Sequence, residues 1–200
     1  MQRNKLIILI MDKIDKEIQE KFNEADSLRI NQSYSKAIVL FNEILKKYPS
    51  FPPALNNIAM CYIGLKKFEE AEKFYLKCME IKPVHIITIN GYADLLAHTN
   101  QFQKAIPVYK ESLKNNPNQE KIVERLIHCL HEINQDNEVS ILCEKATKIY
   151  SKNKYISEIY GKTLLRLNRH KEAQSVLDKT VGSIEFNEEN FKVNSWKEIR

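Results

Sequence analysis

Three histidines, His98, His128 and His131, are the residues that invite a chemical reading first. A neutral imidazole can bind a transition metal, and the ring titrates near neutral pH. A zinc-protease helix would need a second histidine three residues after a His-Glu pair. His131-Glu132 is followed by Ile133-Asn134-Gln135, so that motif is absent. The cysteines Cys61, Cys78, Cys129 and Cys143 include no C-x-x-C spacing, which argues against a zinc ribbon or a redox pair. They fall at apolar helical positions and read as buried free thiols, as in a reducing, intracellular compartment. The paired carboxylates Glu69-Glu70 and Glu188-Glu189 read as solvated neighbours. No serine sits on a glycine-flanked strand-to-helix turn, and the chain offers no strands to carry one. Neither a catalytic constellation, a metal site nor a cofactor is expected, and the chain is read as a non-enzyme.

The elements available to position these groups follow from composition. Two hundred residues contain 4 Gly and 6 Pro, with 43% hydrophobic and 28% charged residues. That is too apolar for a disordered chain. It is also too poor in turn formers for a sandwich or barrel, and no glycine-rich phosphate loop occurs. Helix remains. The net charge of +5 comes from scattered pairs such as Lys46-Lys47 and Lys66-Lys67 with Glu nearby. A nucleic-acid binder would show a denser basic face, so no nucleic acid partner is expected.

The run Leu6–Met11 is the only membrane-like stretch. Spanning a bilayer needs about 20 apolar residues, so no membrane role is expected. Arg3 and Lys5 precede the run, but Asp12-Lys13-Ile14-Asp15-Lys16-Glu17 stands where a signal cleavage site should be, and a cytoplasmic location is read. Met11-Asp12-Lys13-Ile14-Asp15 itself reads as a natural start, so both Met1 and Met11 stand as candidate first residues.

A period organises the chain. Pro49, Pro83 and Pro117 are 34 residues apart, and Ala37, Ala71, Ala105 and Ala173 keep the same step, with Val139 in the missing place. Placing those alanines at position 20 defines five units, 18–51, 52–85, 86–119, 120–153 and 154–187, with an N-terminal extension at 1–17, helical in part, and a tail or cap at 188–200. Position 8 then reads Ala25, Ala59, Ala93, Ile127, Gly161, and position 24 reads Phe41, Tyr75, Tyr109, Cys143, Leu177. Position 17 reads Tyr34, Phe68, Phe102, Asp136, His170. Each unit carries two apolar stripes at helical spacing, in the second unit Leu55, Ile58, Ala59, Tyr62 and then Ala71, Phe74, Tyr75, Cys78. Two antiparallel helices per unit follow. Small residues at positions 8 and 20 allow close approach, and proline ends the second helix. Pro107 alone falls inside a helix, where a kink or a late start is expected.

The pattern resembles the tetratricopeptide repeat family over about residues 18–187. The stretch from Ala54 to Pro83 fits best, with Leu55 where the family often has Trp and Ala59 where it often has Gly. The first unit has Lys21 and Glu24 at apolar places. The fourth has Asp136, Val139 and Ser151 at marker places, which suggests a looser joint there, and the fifth has Glu185 in place of Pro. The resemblance implies an all-α, right-handed superhelical solenoid of about five helix pairs, whose units stabilise one another by stacking.

The resemblance also implies a concave groove lined by the first helix of each unit. The groove residues would be Asn56, Asn57, Met60, Asn90, Asp94, His98, Lys121, Glu124, Arg125 and His128. Amides among them can both donate to and accept from an extended backbone. A protein-interaction scaffold binding a peptide or helix of an unidentified protein partner is the functional expectation. Two alternatives stand beside it. One is an accessory or truncated region of a glycosyl- or sulfotransferase. The other is a co-chaperone with the family's carboxylate clamp for a Glu-Glu-Val-Asp tail, for which Lys121 and Arg125 match while Asn56, Met60 and Gly91 do not. Self-association through the outer helices is a further possibility.

Overall fold

A computed structural model describes residues 16–180 and the strand residues 184–187 and 190–193. The expected extension at 1–17 therefore lies almost wholly outside the described residues, as does most of the tail. Among the described residues the chain forms ten helices and one hairpin. It divides into two compact halves, Met1–Thr99 and Asn100–Arg200.

The N-terminal half holds α1 (Lys16–Ile30), α2 (Tyr34–Lys47), α3 (Pro52–Gly64), α4 (Phe68–Glu80) and α5 (Ile86–His98). The C-terminal half holds α6 (Phe102–Asn115), α7 (Glu120–Glu132), α8 (Asp136–Ile149), α9 (Lys154–Arg166) and α10 (His170–Thr180). The starts of α3, α5, α7 and α9 are 34 residues apart.

The turn inside each period has one chemistry. Gln32, Lys66, Asn100, Asn134 and Asn168 all take φ between 57° and 60°. A left-handed residue lets the chain reverse in three residues while the helix end keeps its hydrogen bonds. The amides of Ser33, Lys67, Gln135 and Arg169 donate to the carbonyls of Leu28, Tyr62, Leu130 and Leu164, each at 2.8–2.9 Å. Asparagine tolerates this conformation better than most side chains, and three of the five turns use it. The turns at Gln32, Lys66, Asn134 and Asn168 are short enough to make the helices they join antiparallel neighbours. At the other boundary Pro52 opens α3, where a missing N–H costs little. Pro107 lies within α6 on its exposed side.

The core follows the columns. Ala25, Ala59, Ala93, Ile127 and Gly161 are buried, as are Ala37, Ala71, Ala105, Val139 and Ala173. Phe41, Tyr75, Tyr109, Cys143 and Leu177 fill the space beside them and are at most 2% exposed. In the fifth period the fit is tight: a Cβ on Gly161 would lie 2.3 Å from Leu177 Cγ. Phe22 packs edge-on against Phe41 and Phe51, with centroids 5.5 and 5.8 Å apart.

One local expectation fails. The chain does contain strands: β1 (Ile184–Asn187) and β2 (Asn190–Val193) pair antiparallel, with Ile184 opposite Val193 and Phe186 opposite Phe191. The physical reason is a change of period. Ile184-Glu185-Phe186-Asn187 and Asn190-Phe191-Lys192-Val193 alternate every two residues, and no proline or helical stripe opposes that pattern.

Candidate interaction faces

The first helices α1, α3 and α5 bring the N-terminal candidates into position. Asn57 donates through Nδ2 to Asp26 Oδ1 at 3.1 Å, and Arg29 Nε donates to the same oxygen at 2.8 Å. Asn57 is thus tied into a network spanning α1 and α3. Met60, one turn further along α3, is exposed. Asn56 is 8% exposed and its Oδ1 is buried without a hydrogen-bond partner. His98 is exposed, with its ring 5.1 Å from that of Phe68 in a T-shaped contact. Asn90 and Asp94 are half-buried on α5. Gly91 between them has a packing reason: a Cβ there would lie 2.6 Å from the Tyr75 hydroxyl. Burial pushes the Tyr75 phenol well up, so this hydroxyl stays neutral.

In the C-terminal half α7 presents Lys121, Arg125 and His128 on its exposed side. Lys121 pairs with Glu124 at 2.9 Å. Asn153, which caps α9 by accepting from the Ile156 amide at 3.0 Å, also donates to Glu124 and, at 2.6 Å, to Glu120. Burial works to raise the Glu124 carboxyl, but the hydrogen bonds from Lys121 and Asn153 and the charge of Arg125 leave it below the ordinary value. Glu124 is therefore engaged within the fold. His128 and His131 each bring Nδ1 to 3.8 Å from Glu132 Oε1. Among the described residues no three His, Cys, Asp or Glu side chains are grouped to hold a metal ion.

The four cysteines are free and buried. Burial pushes Cys61 up to about 11 and Cys143 up to about 12, which keeps them protonated. An open pocket of 410 Å³ in the N-terminal half is lined by Pro49, Ser50, Leu55, Lys77, Glu80 and Ile81, none of them a candidate residue. No described helix is long and apolar enough to cross a membrane.

The family model of the Psidin N-terminal TPR repeats region matches residues 30–157. The chain belongs to the tetratricopeptide-repeat family. It is 29% identical over 123 residues to Hsp70-Hsp90 organizing protein 1 of Glycine max, covering 62% of this chain and 21% of that protein. It is 28% identical over 140 residues to the Hsp70-Hsp90 organizing protein of Triticum aestivum, covering 70% and 24%. The chain thus spans about a fifth to a quarter of the length of these curated relatives. Among solved structures, a MamA double mutant (RS-1) aligns with a TM-score of 0.74 at 16% identity, covering 82% of this chain and 93% of that one. YrrB, described as a TPR protein with an unusual peptide-binding site, aligns with a TM-score of 0.70 at 17% identity, covering 80% and 82%. These likenesses agree with the all-α solenoid fold.

Set in this family, the departures from its pattern acquire partners. Lys21 of the first repeat pairs with Glu43 of α2 at 2.8 Å, so a charge at an apolar place is neutralised across the helix pair. Successive repeats also meet at a recurring rim contact, where the start of a second helix faces the next first helix. Tyr34 covers Gly64, Phe68 meets His98, and Phe102 meets His128 at 5.9 Å. Asp136 at the same place in the fourth repeat is bonded instead to Arg166 of α9. Sequence reasoning missed this pair and the Asn153 cap. The spacings were visible, since Asp136 to Arg166 repeats the 30-residue step of Phe68 to His98.

Proposed function

We propose that this tetratricopeptide-repeat chain is a non-catalytic, cytoplasmic adaptor that binds a peptide or helix of a protein partner on the faces of its first helices. The five-repeat division read from the sequence is the body that carries those faces. The observation that supports this reading most directly is the exposure of Met60 on α3 and of Lys121, Arg125 and His128 on α7, helices whose opposite sides are buried. Side chains of mixed character on a rigid helix suit a passive recognition surface. Capture of partners with wild type and with Lys121→Glu/Arg125→Glu tests it. A partner lost in the variant is the expected result, and identical partner sets would overturn the α7 face as the binding surface.

A second reading is favoured by the relatives, which are named as Hsp70-Hsp90 organizing proteins. Lys121 and Arg125 would hold the terminal carboxylate of a chaperone tail. The remaining clamp places oppose it: Asn56 is buried, Met60 carries no amide, and the space at Gly91 is taken by Tyr75. Titration with a peptide ending in Glu-Glu-Val-Asp separates the two readings, and no binding is expected.

A further inference from the structure

Position 5 of the repeat holds Phe22, Asn56, Asn90, Glu124 and Glu158, one on each first helix. Phe22 is apolar and packs on Phe41 and Phe51. Asn90 is engaged within the fold, Glu124 is held by Lys121 and Asn153, and Glu158 is paired with Lys162. Asn56 is the buried one of the five, 8% exposed, and its Oδ1 has no hydrogen-bond partner. Turning the amide over exchanges oxygen for nitrogen and still leaves a sealed atom unpaired. Burying such an atom costs stability, and a leucine at this place would avoid the cost. Among the described residues nothing in the fold gives this amide a structural use.

The surroundings of Asn56 follow from the register of neighbouring first helices. Asn57 bonds Asp26, 31 positions before it, and Asn153 bonds Glu120 and Glu124, 33 and 29 positions before it. The same step sets Ile87 of α5 across from Asn56 of α3, and Gly91 across from Met60. Ile87 and Met60 are both exposed. Gly91 brings no side chain, and the Tyr75 hydroxyl fills the place from behind, 2.6 Å from where a Cβ would stand. Met60 therefore has no α5 side chain across from it. Asp94 stands one turn beyond Gly91 on α5, where its charge disfavours an acidic ligand.

We propose that the seam between α3 and α5 binds an uncharged, extended segment of a protein partner, whose backbone takes up the bonds that the Asn56 amide lacks. This rests on the adaptor reading above and names the kind of partner its N-terminal face takes. A peptide unit donates through N–H and accepts through C=O. A primary amide does both, so the two match in either chain direction. The terminal torsion of asparagine is broad, so the sealed atom can turn toward a backbone lying between Met60 and Ile87. Met60 supplies an adaptable apolar wall for the side chains of the segment. Asn56 is on this account a recognition residue kept at a cost to stability.

An array of acetylated, amidated peptides of about twelve residues tests the seam, with the strongest ligands titrated against the full chain. Uncharged apolar sequences are expected to bind. Their affinity is expected to fall about tenfold in Asn56→Leu and to stay within about twofold in Lys121→Glu/Arg125→Glu. In urea, Asn56→Leu is expected to unfold at the wild-type midpoint or above it. Met60→Lys, a change on the exposed side of α3, is expected to weaken the same peptides. Unchanged affinity in Asn56→Leu or in Met60→Lys overturns the proposal, and so does an array with no uncharged ligand. A lower urea midpoint in Asn56→Leu, or its failure to fold, also overturns it, since the amide would then be a structural group. Partner capture on α7 is read separately: a partner lost only with the α7 charges keeps the adaptor reading while the seam falls.

Discussion

The Phe68–His98 joint in the N-terminal half and the Asp136–Arg166 joint in the C-terminal half occupy equivalent places in the repeat, yet they use opposite chemistry. Behind both lies the same packing of a small residue against a large one, Ala59 and Tyr75 in one case and Gly161 and Leu177 in the other. The difference teaches that the period is enforced by the core, where volume must be matched, and that the rim is free to change its interaction. A repeat can lose its aromatic marker without losing its place in the stack.

That separation is broken most sharply at the core. Phe41→Ala and Leu177→Ala both remove fully buried side chains. Costs of about 3–5 and 2–5 kcal/mol are expected in urea denaturation. If Leu177→Ala costs little while Phe41→Ala costs its full value, the C-terminal half is loosely packed and the contrast extends beyond the rim.

A smaller pair of effects sharpens the rim itself. Phe68→Ala removes a half-buried ring and its edge contact with His98. About 1–2 kcal/mol of stability should go with it, independent of salt. Asp136→Asn removes a partly exposed ion pair whose side chains are 21% and 36% accessible. Its cost should stay at about 1 kcal/mol or less and fade in 1 M salt. Equal salt sensitivity in the two variants would erase the distinction between the joints.

How far the sequence carried this picture depends on which residues a signal rests on. The alanine and proline steps place α3 to α9, because core volume and helix ends admit few residue types. The turn at Gln32 and Lys66 was not legible from residue type, since neither side chain favours positive φ, although Asn100, Asn134 and Asn168 at the same step do. The hairpin was hidden by the expectation that the helical repeat runs to 187, although Ile184 and Phe186 alternate with polar residues. The candidate faces were only half legible. Exposure of Lys121 and His128 follows from their place on α7, but the engagement of Asn57 by Asp26 and of Glu124 by Asn153 depends on residues about 30 positions away. No pattern within one repeat announces such partners.

The smallest expected effect is the most informative about the rim. Replacing Asp136 by Phe and Arg166 by His transplants the Phe68–His98 pair into the later joint. Both places lie at the same positions of the repeat, Asp136 first in α8 as Phe68 is first in α4, and Arg166 last in α9 as His98 is last in α5. If the core alone sets the geometry, the new ring contact forms with the same spacing. An aromatic edge contact and a partly exposed ion pair are each worth about 1 kcal/mol, so the double variant should match the wild type to within about that amount. Its salt dependence at this joint should vanish. The single variant Asp136→Phe should fare worse than the double, because it leaves Arg166 without its carboxylate. A double variant no better than that single one would mean that the rim residues are fitted to their own joint, and that the repeat is less modular than its core suggests.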